Sequence, residues 1–176
     1  YGPMGTGVLI LNNRNLKPLL YGGTGTESVK KSQPEGLPEK FESGTQNMNG
    51  ISGLKAGVDF VKNRGIKNIY NHEYKLAKRL FNGLANNRKV ITYNKSFDYG
   101  KVAPVVSFNI DGVYSEDLVA KLNKYGIMTR GGLHCSPLAH TTMNTIENGT
   151  VRVVPGAFNT INDINYLLNV IRKLTN

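Results

Sequence analysis

A chain of 176 residues, 39% of them hydrophobic, with a net charge of +10, is long enough to bury one good core and too apolar for a disordered polypeptide. No apolar run approaches bilayer-crossing length, and the first residues lack the charged-then-apolar pattern of a secretory leader. One cysteine excludes an internal disulfide framework and points to a reducing cytosol. The basic residues are scattered, with no aromatic interleaving and no dense block, which argues against a nucleic-acid binder.

The chain opens without Met in the Gly/Pro-rich turn Tyr1-Gly2-Pro3-Met4-Gly5-Thr6-Gly7, so an upstream segment is expected. The apolar run Val8-Leu9-Ile10-Leu11 predicts a strand. A long polar loop follows to about residue 46, through Tyr21-Gly22-Gly23-Thr24-Gly25-Thr26 and Gln33-Pro34-Glu35-Gly36-Leu37-Pro38. Structureless loops of this length are commonly functional or disordered. Ile51, Leu54, Val58 and Val61 predict a helix over residues 47–62, with Gly65 as its C-cap. A second helix presents Tyr70, Tyr74, Ala77, Phe81 and Leu84, its face widened by Leu76 and Leu80.

The period then changes. Residues 89–93 predict a strand, and residues 104–110 a second with Val106, Phe108 and Ile110 on one face. Ser115 is the expected N-cap of a helix bearing Leu118, Val119, Leu122 and Tyr125. Residues 127–130 are expected to be extended and 151–154 to form a strand. Thr160 is expected to cap a last helix with Ile161, Ile164, Leu168 and Ile171 on one face. From residue 89 the order is ββαββα, a small two-layer α+β domain.

The single cysteine lies in Arg130-Gly131-Gly132-Leu133-His134-Cys135-Ser136-Pro137-Leu138. Glycine, proline and polar turn residues argue against deep burial of a thiol there. A neighbouring cation favours the thiolate, which is the nucleophile. In Val151-Arg152-Val153 the valines share one face and Arg152 points to the other. A guanidinium grips carboxylates with two prongs, so Arg130 and Arg152, flanking one turn, are candidates to hold an amino acid. His134, Cys135 and His140 match no standard zinc spacing, and no metal site is expected.

An ordered set of motifs resembles the C-terminal part of a class V aminotransferase-fold enzyme of the cysteine desulfurase family. Tyr1-Gly2-Pro3-Met4-Gly5-Thr6-Gly7 resembles the run after the cofactor lysine. Tyr21-Gly22-Gly23-Thr24-Gly25 resembles the family's glycine-rich segment, and Glu42-Ser43-Gly44-Thr45-Gln46-Asn47 its E-x-G-T-x-N motif, followed by Gly50-Ile51-Ser52-Gly53-Leu54. Arg130-Gly131-Gly132-Leu133-His134-Cys135 resembles the R-x-G-x-H-C active-cysteine motif, with Leu133 where better-known desulfurases often have a polar residue.

The resemblance implies an α/β and α+β architecture, the C-terminal piece of a fold type I enzyme that uses pyridoxal 5′-phosphate (PLP). Residues 1–64 would end the large PLP-binding domain and residues 65–176 would form the small C-terminal domain. It implies that Cys135 takes sulfur from L-cysteine as a persulfide, releasing alanine, and that Arg152 and Arg130 contact the substrate. Thr45, with Gly44 beside it, would reach the PLP phosphate of the neighbouring subunit in a homodimer, and His134 would act as acid/base or orienting group. The short stretch between Cys135 and Arg152 resembles the branch that hands sulfur to a dedicated acceptor protein. The Schiff-base lysine, the histidine stacked on PLP and the acidic partner of its pyridine nitrogen would lie upstream of Tyr1, so this stretch alone is expected to be inactive. A class V aminotransferase or related lyase with a bystander Cys135 is the alternative.

Overall fold

The computed structural model describes residues 1–12 and 16–176; the part of the long polar region at 13–15 lies outside them. The chain divides into two compact units, Tyr1–Arg64 and Gly65–Asn176, each described by itself. Among the described residues, no helix is long and apolar enough to cross a membrane.

The first unit is irregular apart from one 3₁₀ turn, Gly25–Glu27, and helix α1, Met48–Arg64. The strand expected at residues 8–11 does not form. Val8, Leu9 and Ile10 are 72%, 73% and 85% exposed, and no described residue of the unit pairs with their backbone. Apolar content alone cannot make a strand, because its backbone groups need a neighbouring edge.

Helix α1 starts where the Asn47 side chain accepts the Gly50 N–H at 3.0 Å, which satisfies one of the otherwise unpaired first-turn donors. The expected apolar series packs only in part: Leu54 and Val61 are half-buried, Ile51 and Val58 are exposed, and the fully buried residues are Gly50 and Gly57. With Gly53 these glycines form a stripe offset by one residue from the apolar series. A Cβ at Gly57 would lie 2.5 Å from the Tyr1 carbonyl oxygen, and one at Gly50 would lie 2.6 Å from Thr6. The opening turn lies along this groove, and the Tyr1 ring packs on Phe60 at 4.9 Å.

The second unit has two layers. Strands β1 (Val90–Thr92), β2 (Val106–Ile110) and β3 (Val151–Val153) form one antiparallel sheet in that order. Helices α2 (Ile66–Ala85) and α5 (Ile161–Thr175) pack on each other, α2 also contacts β1 and β2, and α3 (Ser115–Asn123) lies against β3. β2 alternates as expected: Val106 and Phe108 are fully buried, and Ile110 nearly so. They meet Leu80 and Leu84 of α2, Leu118 and Leu122 of α3, and Ile171 of α5 in one core. The two long helices approach closely at Gly83, where a Cβ would sit 2.5 Å from the Leu168 side chain.

Gly65 directly follows the last residue of α1 at φ 82°, as expected of the glycine that ends it. Several other local expectations change. Residues 127–130 do not form a strand; only Arg130 bridges to Arg152. A short helix, α4 (Pro137–Thr142), was not anticipated, although Pro just inside a helix start is a known marker. Ser115 is the first helical residue rather than the cap, which is Tyr114. Tyr125 lies beyond the end of α3 and is exposed.

The cap of α5 is as expected and is reciprocal. The Asp163 N–H donates to Thr160 Oγ1 at 3.3 Å, and the Thr160 N–H donates to Asp163 Oδ2 at 2.8 Å. That backbone N–H holds the Asp163 carboxyl below its usual range. Thr160→Ala should cost about 1 kcal/mol of unfolding free energy, read as a lower urea midpoint at constant slope.

Candidate active site around Cys135

Backbone pairing sets the stage. The Arg130 N–H donates to the Arg152 carbonyl at 3.3 Å, and the Arg152 N–H donates back to the Arg130 carbonyl at 2.8 Å. The chain before the cysteine is thereby tied alongside β3. Val151 faces the core, so Arg152 projects from the other side of the sheet, half-buried.

After Gly132 the chain reverses in a turn closed by the Ser136 N–H donating to the Leu133 carbonyl at 2.9 Å. Both central residues, His134 and Cys135, are left-handed, at φ 52° and 59°. That conformation costs a non-glycine residue about 1–2 kcal/mol, and such residues cluster where surrounding structure holds them for a purpose. The result is an exposed thiol at the tip, with Arg130 Nη2 4.0 Å from Cys135 Sγ. A cation stands beside the atom on which negative charge develops when the thiol reacts.

His134 is held by Thr150. Its Nε2 lies 2.9 Å from the Thr150 carbonyl, which can only accept, so Nε2 carries the proton. Its Nδ1 is buried, with no hydrogen-bond partner among the described residues. Burial lowers the imidazole pKa; the Thr150 carbonyl opposes this, while Arg152, His140 and Arg130 add to the lowering. His134 is therefore a neutral ring near neutral pH, with a bare lone pair on Nδ1. The His140 ring lies 5.8 Å away, centroid to centroid, and is tied to Thr145 at 2.8 Å.

The lowered pKa has a stability consequence. As pH falls from the ordinary value of 6.5 through the folded value, the unfolded chain takes up the proton first, so stability falls with acidification. His134→Gln should flatten that part of the profile, measured by denaturant unfolding over a pH series.

Beside His134 is a cavity of about 250 Å³ lined by Arg152, Thr150, Tyr93 and Ser107 among others. Ser107 pairs with Arg152 across β2 and β3, so both share the sheet face opposite the core. Burial raises the Tyr93 pKa, partly offset by a hydrogen bond from Asn109. Its hydroxyl stays protonated and accepts from Asn109 Nδ2 at 3.1 Å. Sequence reasoning missed Tyr93 and Ser107. The alternation that placed Val106, Phe108 and Ile110 on the core face turns Ser107 and Asn109 to the other, where Ser107 is half-buried and Asn109 buried, and this signal could have found Ser107.

Cys135, His134, Arg130 and Arg152 thus come together in the second unit. Gly44 and Thr45 belong to the first. The Gly44 N–H donates to the Gly23 carbonyl at 3.0 Å, and a Cβ on Gly23 would lie 2.6 Å from the Gly44 Cα. Glycine at position 23 allows this approach, and Gly44 stands at φ 75°; Thr45 beside it is exposed.

Residues 1–167 match the family model Aminotransferase class-V. A probable cysteine desulfurase from Pyrococcus abyssi is 35% identical, the match covering 98% of this chain and 43% of that protein. The apo structure of cysteine desulfurase from Thermococcus onnurineus NA1 superposes with a TM-score of 0.77 at 35% identity, over 90% of this chain and 39% of that one. The cysteine desulfurase CsdA of Escherichia coli, in its S-sulfonic acid form, gives 0.75 at 25% identity, over 89% and 38%. The chain spans about two fifths of the length of these relatives. With the motifs in order from Tyr1 to Arg152 and a family match over nearly the whole chain, this polypeptide belongs to the class V aminotransferase family.

Proposed function

We propose that this chain is the C-terminal part of a PLP-dependent cysteine desulfurase, with Tyr1–Arg64 ending the large domain and Gly65–Asn176 forming the small one. The observation that carries the reading is the exposed thiol of Cys135 on a left-handed turn, 4.0 Å from the Arg130 guanidinium and next to the backbone-paired Arg152.

The residues present fit one end of the cofactor: Thr45, exposed after the Gly44 turn, would offer its hydroxyl to a phosphate, in the family arrangement that of the neighbouring subunit in a homodimer. PLP, when bound, supplies the electron sink that labilises bonds in the amino acid. Arg152 binds the carboxylate of L-cysteine, with Arg130 as the second substrate-side cation. Cys135, as thiolate, attacks the substrate sulfur; the S–S bond forms as the C–S bond breaks. The carbon takes up a proton in place of sulfur, so cysteine plus enzyme thiol become alanine plus enzyme persulfide, with no external oxidant. Neutral His134, anchored to Thr150, orients the turn. The persulfide at an exposed tip suits transfer to a separate acceptor protein, in a reducing cytosol where the thiol stays free.

The test is to incubate the full-length enzyme with L-cysteine and measure alanine together with a 32-dalton addition to the Cys135 peptide (roughly one sulfur atom, as persulfide formation requires). Transamination without alanine or persulfide would replace this reading with the aminotransferase one.

A further inference from the structure

The turn carrying Cys135 is anchored on one side by its own neighbours and on the other by helix α3. Ser115 is fully buried, and its hydroxyl accepts the Gly132 N–H at 3.0 Å. The Gly132 carbonyl in turn accepts the Thr150 N–H at 3.1 Å, and the Ser115 N–H donates to the Asn148 carbonyl at 3.3 Å. Gly132 is therefore fixed at both its polar groups, two residues before His134.

The glycines around it exist to make room. A Cβ on Gly149 would lie 2.6 Å from the Gly132 Cα and 2.7 Å from Ser115 Oγ; one on Gly131 would lie 3.0 Å from the Ser115 carbonyl oxygen. A serine near a helix start ordinarily turns its hydroxyl onto its own helix. Here Tyr114 occupies the cap position and makes no side-chain cap. The Ser115 hydroxyl reaches out of the helix to the cysteine turn, which links α3 to the left-handed pair His134 and Cys135.

We propose that Ser115 is a positioning residue for Cys135: its hydroxyl, acting through Gly132, holds the turn in the conformation that presents the thiol beside Arg130. The proposal rests on the reading of Cys135 as the sulfur-accepting nucleophile. It predicts an effect on sulfur transfer and not on cysteine binding, because Arg152 is held by β3 and by its own backbone pairing.

The experiment uses the full-length holoenzyme with Ser115→Ala and Ser115→Thr. Loss of one buried hydrogen bond should lower kcat for alanine formation about tenfold, with KM for cysteine changed by less than about twofold. Ser115→Thr keeps the acceptor oxygen and should recover most of kcat. Amide hydrogen exchange supplies a readout independent of turnover: in Ser115→Ala, residues 131–136 should exchange faster while β2 and α5 keep their protection. Three results would overturn the assignment: unchanged exchange at 131–136, faster exchange there with unchanged kcat, or lost protection spread across β2 and α5, which would make Ser115 a support of the whole domain. If the parent enzyme makes no alanine from cysteine, the desulfurase reading fails, and the exchange result alone decides whether Ser115 holds the turn.

Discussion

Cys135→Ser is expected to lower alanine formation from L-cysteine by more than about a thousandfold, the scale on which loss of an essential nucleophile is felt, and to leave cysteine binding near the parent value. The substitution keeps the side chain's size and its left-handed backbone, so the turn closed by Leu133 and Ser136 should persist. It replaces a readily ionised, polarisable nucleophile with a hydroxyl whose proton is hard to remove. Arg130 and Arg152 are untouched, so the carboxylate still has its partners. The measurement is single-turnover alanine release, with spectral titration for binding. Alanine release at the parent rate would mean that Cys135 is a bystander despite its exposure and its Arg130 neighbour, and the aminotransferase alternative would then hold.

The candidate site was largely legible because its signals are local. A lone cysteine among glycines and a proline, an arginine before it and an arginine between two valines are all visible along the chain. The structure adds the pairing of Arg130 with Arg152 that unites them. The second unit was legible for a related reason: β2 and α2 bury clean periodic faces. What could not be read comes from long-range partners. The run at residues 8–11 has strand composition but no strand beside it. In α1 the apolar series is half-buried at Leu54 and Val61 only, while the glycines one residue away carry the close approach. Ser115 carries the residue type of a cap, yet its hydroxyl answers Gly132, a contact spanning the helix and a loop. His134's tautomer depends on Thr150, 16 residues further on and just before β3.

Arg152→Ala should weaken cysteine binding by roughly ten- to a hundredfold, and Arg152→Lys should weaken it less. Loss of a hydrogen bond to a charged group costs about 1.5–3 kcal/mol, and each 1.4 kcal/mol is about tenfold in affinity. Lysine keeps the charge but loses the planar two-pronged grip on a carboxylate. The side chain leaves the sheet on the face away from Val151, and its backbone bonds to Arg130 do not depend on what it carries. Both variants should therefore keep the fold and the Cys135 turn. Arg152 is also one of the charges that lower the His134 pKa. Alanine at this position should let that pKa rise toward its ordinary value, while lysine should not, which an imidazole NMR titration of full-length protein reads directly. A variant pair that moves the histidine as expected and leaves cysteine affinity unchanged would show that Arg152 faces the site without binding the substrate carboxylate, and the assignment would pass to Arg130. Weakened affinity in the order alanine, lysine, parent, with the histidine shift confined to alanine, fits only a guanidinium that faces both His134 and the substrate.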